Sequence, residues 1–242
     1  LRPSRMVNKK PVRIPFLGED LILWRNKENK AIVQSNICPH RGAKLSMGKV
    51  DMKKDCIACP YHGWLFDEYG NLKEVPANDR SVLKDNVKIE SYNARESGGL
   101  IWFCPGNYQQ NKPPVIEEMF DRKWRTINGN DVFENDWITS LENSIDVSHV
   151  NFVHSDFGDA ENGEVIVESI KQKTPDLLRM RTVINHKSEN LFLKFTENPA
   201  VRVRHDILFP NTVAIYFSVN NILDVITYVT YTPLKDNKTL IH

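Results

Sequence analysis

The sequence lacks most of what would mark a membrane, secreted or nucleic-acid-binding chain. No apolar run reaches the roughly 18–20 residues that span a bilayer. The longest, around Val213 to Tyr231, is interrupted by Asn220, Asn221 and Asp224 and reads as strands. Four cysteines (Cys38, Cys56, Cys59, Cys104) are too few for a disulfide-stapled scaffold, which tilts the reading towards a reducing compartment. Charge of one sign is lacking too: 32 Lys and Arg stand against 31 Asp and Glu, so no nucleic-acid partner is expected. The basic cluster Lys9, Lys10 and Arg13 is short enough to be a solvated face. No Gly-x-Gly-x-x-Gly occurs, so no Rossmann-type NAD or flavin site is expected. The chain has no initiator Met and stops at Thr239-Leu240-Ile241-His242, inside a strand-like pattern. The expectation is a fragment truncated at both ends, whose missing leader or anchor says little.

What is present is globular: 40% hydrophobic residues suffice for one large domain or two modest ones with packed cores. Residues 1–104 read as a small β-rich unit. Leu21-Ile22-Leu23-Trp24 and Ala31-Ile32-Val33 are apolar runs joined by the polar turn Asn26 to Lys30. Phe66 to Leu72 is a second hairpin signal, turning at Gly70-Asn71. Gly99 to Phe103 closes the unit as a buried strand, and 105–114 has linker composition. In 115–242, Trp137 to Val153 has helical periodicity, with Ile138, Leu141, Ile145 and His149 on one stripe. From Val165 the pattern returns to strands, such as Val201 to Arg204 and Val225 to Val229. The second half is therefore α+β.

Two short loops carry metal-ligand chemistry: Cys38-Pro39-His40-Arg41-Gly42 and Cys59-Pro60-Tyr61-His62-Gly63-Trp64. Each offers one thiol and one imidazole, and each ends in a glycine that lets the chain turn tightly. Thiolate and imidazole suit either zinc or an iron–sulfur cluster, so ligand type alone leaves both open. Order separates them. A zinc finger presents a Cys pair and then a His pair, whereas two mixed loops suit a [2Fe–2S] centre with two Cys on one iron and two His on the other. Cys56 and Cys104 fall outside this pattern and read as buried core thiols.

The stretch Trp137 to His154 holds a second set. On a helix, Glu142, Asp146 and His149 share a face, while His154 lies about 140° further round. For both imidazoles to meet one metal, the helix must bend, bulge or end between them. The plain alternative is an amphipathic helix with incidental histidines. Four of the seven histidines now fall into two ordered clusters; His186, His205 and His242 are unexplained.

The two Cys-His loops resemble those of Rieske proteins of the oxygenase and ferredoxin branch. Ala43 and Tyr61 stand where the respiratory branch has its clipping cysteines. The second stretch resembles the iron motif of the Rieske non-haem iron oxygenases, Asp-x-x-His-x-x-x-x-His preceded by Trp and Glu-Asn; Trp137, Glu142, Asn143, Asp146, His149 and His154 match. The resemblance implies an all-β Rieske domain followed by a helix-grip type catalytic domain. Cys38, His40, Cys59 and His62 would bind a [2Fe–2S] cluster, and His149 and His154 a mononuclear Fe(II). Asp146 would bridge the two sites between neighbouring subunits of a homotrimer. The carboxylate that completes the iron site is expected beyond residue 242, because Asp206, Asp224 and Asp236 come too early for the family pattern. Glu142 is a weak substitute.

Asp146-Val147-Ser148-His149 looks like the monooxygenase group that includes pheophorbide a oxygenase and chlorophyllide a oxygenase. The implied activity is O₂-dependent hydroxylation or demethylation of an aromatic or polycyclic substrate, tetrapyrroles included, with electrons from an external ferredoxin or reductase. The cytoplasm of a bacterium, or a chloroplast, would be the setting. Alternatives are a ring-hydroxylating dioxygenase large subunit, a Rieske electron carrier without its own oxygenase activity, and a zinc-stabilised binding module.

Overall fold

The computed structural model describes residues 2–4, 10–77, 87–105, 112–154, 161, 163–185, 200–219 and 223–242. The chain divides into two compact units, Leu1–Asp121 with Leu234–Asp236, and Arg122–Pro233 with Asn237–His242.

The first unit is built from β1 (Arg2–Pro3), β2 (Val12–Phe16), β3 (Glu19–Arg25), β4 (Ala31–Ser35), β5 (Lys49–Asp51), β6 (Cys56–Ala58), β7 (Leu65–Phe66), β8 (Leu72–Glu74), β9 (Ser91–Ser97) and β10 (Leu100–Cys104). They form a six-stranded sheet in the order β1-β10-β9-β4-β3-β2 and a four-stranded sheet in the order β5-β6-β7-β8. Strand β3 explains its own unbroken apolar run. Leu21 and Leu23 pack with Ile14, Val33 and Ile101 on one side. Ile22 and Trp24 point the other way, into a core with Leu45, Ile57 and Phe66. On the Ile22 and Trp24 side Gln34 is fully buried, accepting from Trp24 Nε1 at 3.0 Å and donating to Asp67 O at 2.7 Å. Both expected hairpins are present. Asn26 closes the first, its Oδ1 accepting from the N–H groups of Glu28 and Lys30. Asp67 closes the second by accepting from Tyr69 and Asn71.

The second unit contains β11 (Asp131–Phe133), α1 (Trp137–Ile145), α2 (Val150–Val153), β12 (Glu164–Thr174), β13 (Leu177–Asn185), β14 (Ala200–Leu208), β15 (Thr212–Val219), β16 (Leu223–Pro233) and β17 (Thr239–Ile241). Its seven-stranded sheet runs β11-β17-β16-β15-β14-β13-β12 with every pairing antiparallel. Helix α1 packs on β15 and β16. Its start is fixed where Thr239 Oγ1 donates to Asn135 O at 2.8 Å, and its far end by a hydroxyl contact between Ser144 and the buried Tyr231. Asp136 caps it, its Oδ1 accepting from the N–H groups of Ile138 and Thr139.

The architecture is the expected α+β pairing of an all-β unit with a sheet-and-helix unit. Three details differ from the sequence reading. The helical stretch is two helices, because the chain leaves helical geometry at Asp146 and resumes it only at His149. Ile138 is 50% exposed, so the stripe does not bury its first member. Cys56 is buried as expected, whereas Cys104 is only partly buried. The segment 106–111 of the expected linker, His186, Asn220 and Asn221 lie outside the described residues.

Candidate metal centres

The first ligand loop leaves β4 and the second joins β6 to β7. Both are wound the same way. In each, the Cys N–H donates to the carbonyl five residues on (Ala43, Trp64; 2.9 Å in both), and the Cys carbonyl accepts from the glycine N–H four residues on (Gly42 at 2.9 Å, Gly63 at 3.1 Å). Both glycines close the turn in the left-handed region, at φ 69° and 71°. Two matching turns therefore present their thiols and imidazoles to a common space.

The donors sort by type within that space. Cys38 and Cys59 are 1% and 4% exposed, built into the core that holds Trp24 and Phe66. His40 and His62 are exposed, with ring centroids 4.7 Å apart. Two thiols at a buried end and two imidazoles at an open end match a binuclear cluster with like ligands on each iron. Among the described residues, no three His, Cys, Asp or Glu side chains gather around one ion position. Burial pushes the Cys38 thiol up to about 11, with a backbone hydrogen bond at His40 opposing and the Cys59 thiol reinforcing the shift. Metal uptake there displaces a proton. Trp64, at the end of the second loop, stacks flat on His40 with ring centroids 4.4 Å apart and planes 1° from parallel. It thereby ties the second loop to the first loop's ligand.

In the second unit the break after α1 does the positioning. Asp146 closes α1 by donating its N–H to Glu142 O at 2.9 Å, and its Oδ1 then accepts from Ser148 N at 2.9 Å. That local turn restarts the chain at His149. His149 stands at the N-terminus of α2 and His154 at its end, where the backbone has left helical geometry (φ −106°, ψ 79°). The two rings come within 5.3 Å. His149 Nδ1 is buried without a hydrogen-bond partner, and Asp146 Oδ2 stands 3.9 Å from it. An orphaned imidazole nitrogen beside a carboxylate fits a histidine whose ring awaits a metal and is oriented by its neighbour. Glu142 is exposed on α1.

None of the late aspartates joins this pair. Asp206 is buried and held by Arg179 at 2.6 and 2.7 Å. Asp224 is exposed near the start of β16, and Asp236 is exposed in the turn before β17. A cavity of about 310 Å³, whose lining includes Trp124, Arg181, Arg204 and Tyr216, contains neither imidazole. Arg204 lies 3.4 Å above the Tyr216 ring in its wall.

Comparison with known proteins places both units. Residues 1–93 match the model of the Rieske [2Fe-2S] domain, and residues 133–242 that of the vanillate O-demethylase oxygenase C-terminal domain. The 5,5'-dehydrodivanillate O-demethylase oxygenase subunit of Sphingobium sp. is 33% identical over 164 residues, 64% of this chain and 37% of that protein. Cholesterol 7-desaturase of Caenorhabditis elegans is 27% identical over 171 residues, 69% of this chain and 40% of that protein. The chain thus spans about two fifths of these curated relatives. A crystal structure of dicamba monooxygenase with non-heme iron and dicamba superposes on 99% of this chain and 72% of its own, with a TM-score of 0.72 at 20% identity. Residues 1–93 thus belong to the Rieske [2Fe-2S] domain family and residues 133–242 to the vanillate O-demethylase oxygenase C-terminal domain family.

Proposed function

We propose that this chain is part of the terminal component of an oxygenase that hydroxylates or demethylates an oxygen-substituted aromatic substrate. The observation that carries the reading is the presence of two donor sets in one chain: the sorted thiol and imidazole pairs of the first unit, and the converging His149 and His154 of the second. Cys38, Cys59, His40 and His62 would hold the [2Fe–2S] cluster, and His149 with His154 two positions of the mononuclear iron. When bound, the cluster relays single electrons from an external ferredoxin or reductase and the iron activates O₂.

The chain's own residues do the rest. The core around Cys38 and Cys59 keeps water from the thiolate end, and the open imidazole end faces an electron partner. Asp146 Oδ2 stands 3.9 Å from His149 Nδ1, placed to orient the ring once a metal holds it, while Oδ1 is fixed by Ser148 N. Its side chain is 55% exposed, which leaves it available as the bridge to a Rieske histidine of a neighbouring subunit in a homotrimer. Relatives that act on methoxylated aromatic acids favour a small oxygen-bearing ring over a tetrapyrrole.

Iron stoichiometry tests the reading. The full-length protein should hold three irons per chain, an electron carrier two, and a zinc module none. His149→Ala should lose one iron and all O₂-dependent turnover while keeping the visible spectrum of the cluster. Turnover that survives the substitution, or a wild-type count of two, would reject the assignment.

A further inference from the structure

Two polar side chains buried on one face of the large sheet each carry an atom with no hydrogen-bond partner. Thr182 on β13 is 1% exposed and His205 on β14 is 2% exposed. Neither Thr182 Oγ1 nor His205 Nδ1 meets a hydrogen-bond partner. Buried polar groups in native proteins are almost always satisfied, so two orphans together call for a cause.

Register places them side by side. Thr182 pairs with Val203 and Met180 with His205, so Thr182 and His205 are diagonal neighbours on one face. His205 pairs with Ile215, which pairs with Thr227. Stepping by twos along β16 from Thr227 reaches Tyr231, whose hydroxyl contacts Ser144 of α1. This is therefore the face that α1 covers, and α1 leads directly into Asp146, His149 and His154. The same face carries the buried Val203, Ile207 and Val213. An apolar wall with a few convergent polar groups is how small-molecule sites are built. Asp206, the next residue, points to the opposite face and is taken by Arg179. Burial pushes His205 down to about 4, against the upward pull of Asp206, so the imidazole is neutral at pH 7 and offers one donor and one acceptor nitrogen.

We propose that His205 and Thr182 form a polar subsite that hydrogen-bonds an oxygen substituent of the aromatic substrate and so sets its orientation on the face beneath α1. The proposal deepens the oxygenase reading and rests on it. Both side chains act as positioning residues, and the substrate supplies the partners they lack in the free chain.

The subsite has a signature that a packing role lacks. Replacing an unsatisfied buried hydroxyl by a methyl of the same shape relieves a cost in the free protein and removes a bond in the complex. The full-length, metal-loaded protein is titrated calorimetrically without O₂ against vanillate, guaiacol (no carboxylate) and 3-methoxybenzoate (no phenol). Thr182→Val and His205→Leu should each weaken vanillate about tenfold, and one truncated probe should lose this sensitivity, identifying the oxygen. His205→Gln, which keeps a hydrogen-bonding group, should restore most of the affinity. Without ligand, Thr182→Val should melt at or above the wild-type temperature. A lowered melting temperature with unchanged affinity, or no binding of any probe by the wild type, overturns the subsite. Unchanged affinity alongside a loss of turnover in His149→Ala rejects the subsite and leaves the oxygenase reading standing. Two irons per wild-type chain rejects the oxygenase reading itself.

Discussion

Asp20 shows how much one side chain contributes to the first ligand loop. It lies at the hairpin between β2 and β3, yet its carboxylate takes hydrogen bonds from Lys44 and from Asn36 Nδ2 at 2.9 Å, both on the loop that carries Cys38 and His40. Arg13 Nε adds a third at 2.7 Å. Burial would raise this carboxyl, but the hydrogen bonds from Lys44, Arg13 and Asn36 outweigh it and pull it down to about 2. A carboxyl lowered from 3.8 stabilises the fold above pH 4, and that contribution is lost as the pH falls through 2. Asp20 is 12% exposed but its cationic partners Arg13 and Lys44 are 63% and 43% exposed, so after solvent screening the group contributes about 1–2 kcal/mol. Asp20→Asn should therefore lower unfolding free energy in urea at pH 7 by about 1–2 kcal/mol, and the gap to wild type should close near pH 2. A gap of equal size at both pH values would show that shape, not charge, holds the loop.

At the scale of elements, the two ligand loops are one turn used twice, and the difference between their glycines can be measured. Gly42 sits at φ 69° with no atom within 4 Å of where a Cβ would be, whereas at Gly63, φ 71°, that Cβ would come 3.1 Å from Pro76 Cγ. An L residue in this region costs about 1–2 kcal/mol, so Gly42→Ala should lose that much in thermal unfolding. Gly63→Ala should lose more and bleach the cluster absorbance at a lower temperature. The same contrast shows what the sequence made legible. Cys and His types, their spacing and the closing glycines are local signals, and they single out the two Cys-His loops, as the turn residues do both hairpins. The stack of Trp64 on His40 joins two loops distant in sequence, so no local pattern announces it. The break at Asp146 is hidden in the sequence because no Gly or Pro marks it and the apolar period runs on. Its signal was the Asp-x-Ser turn, in which a side chain competes with the helix for Ser148 N. His205 alternates with Val201, Val203 and Ile207 along β14, the inward register of a half-buried strand, a period that marks it as interior without announcing a role. The pairing of β11 with β17 closes the sheet over more than a hundred residues of sequence, beyond the reach of any window.

For the whole molecule, the question is which chain's cluster serves which chain's iron site. The imidazole end of the first centre is exposed, and so is the carboxylate of Asp146 at the second. Both are open to another copy of the chain, and the resemblance implies that the electron crosses between subunits of a trimer. Mixed assemblies decide it. Cys38→Ser removes a proposed cluster ligand and spares His149; His149→Ala does the reverse. Each full-length variant alone should be inactive. If the protein is the proposed homotrimer and each iron site draws on the neighbouring subunit, a trimer reassembled from equal amounts of both pairs an intact iron site with an intact neighbouring cluster in about a quarter of its positions. Coupled O₂ consumption should then recover to about a quarter of the wild-type rate. Adding Asp146→Asn to the Cys38→Ser chain should remove that recovery, because this chain holds the intact iron site, whereas the same change on the His149→Ala chain should be harmless. Transfer within one chain predicts no recovery from any mixture.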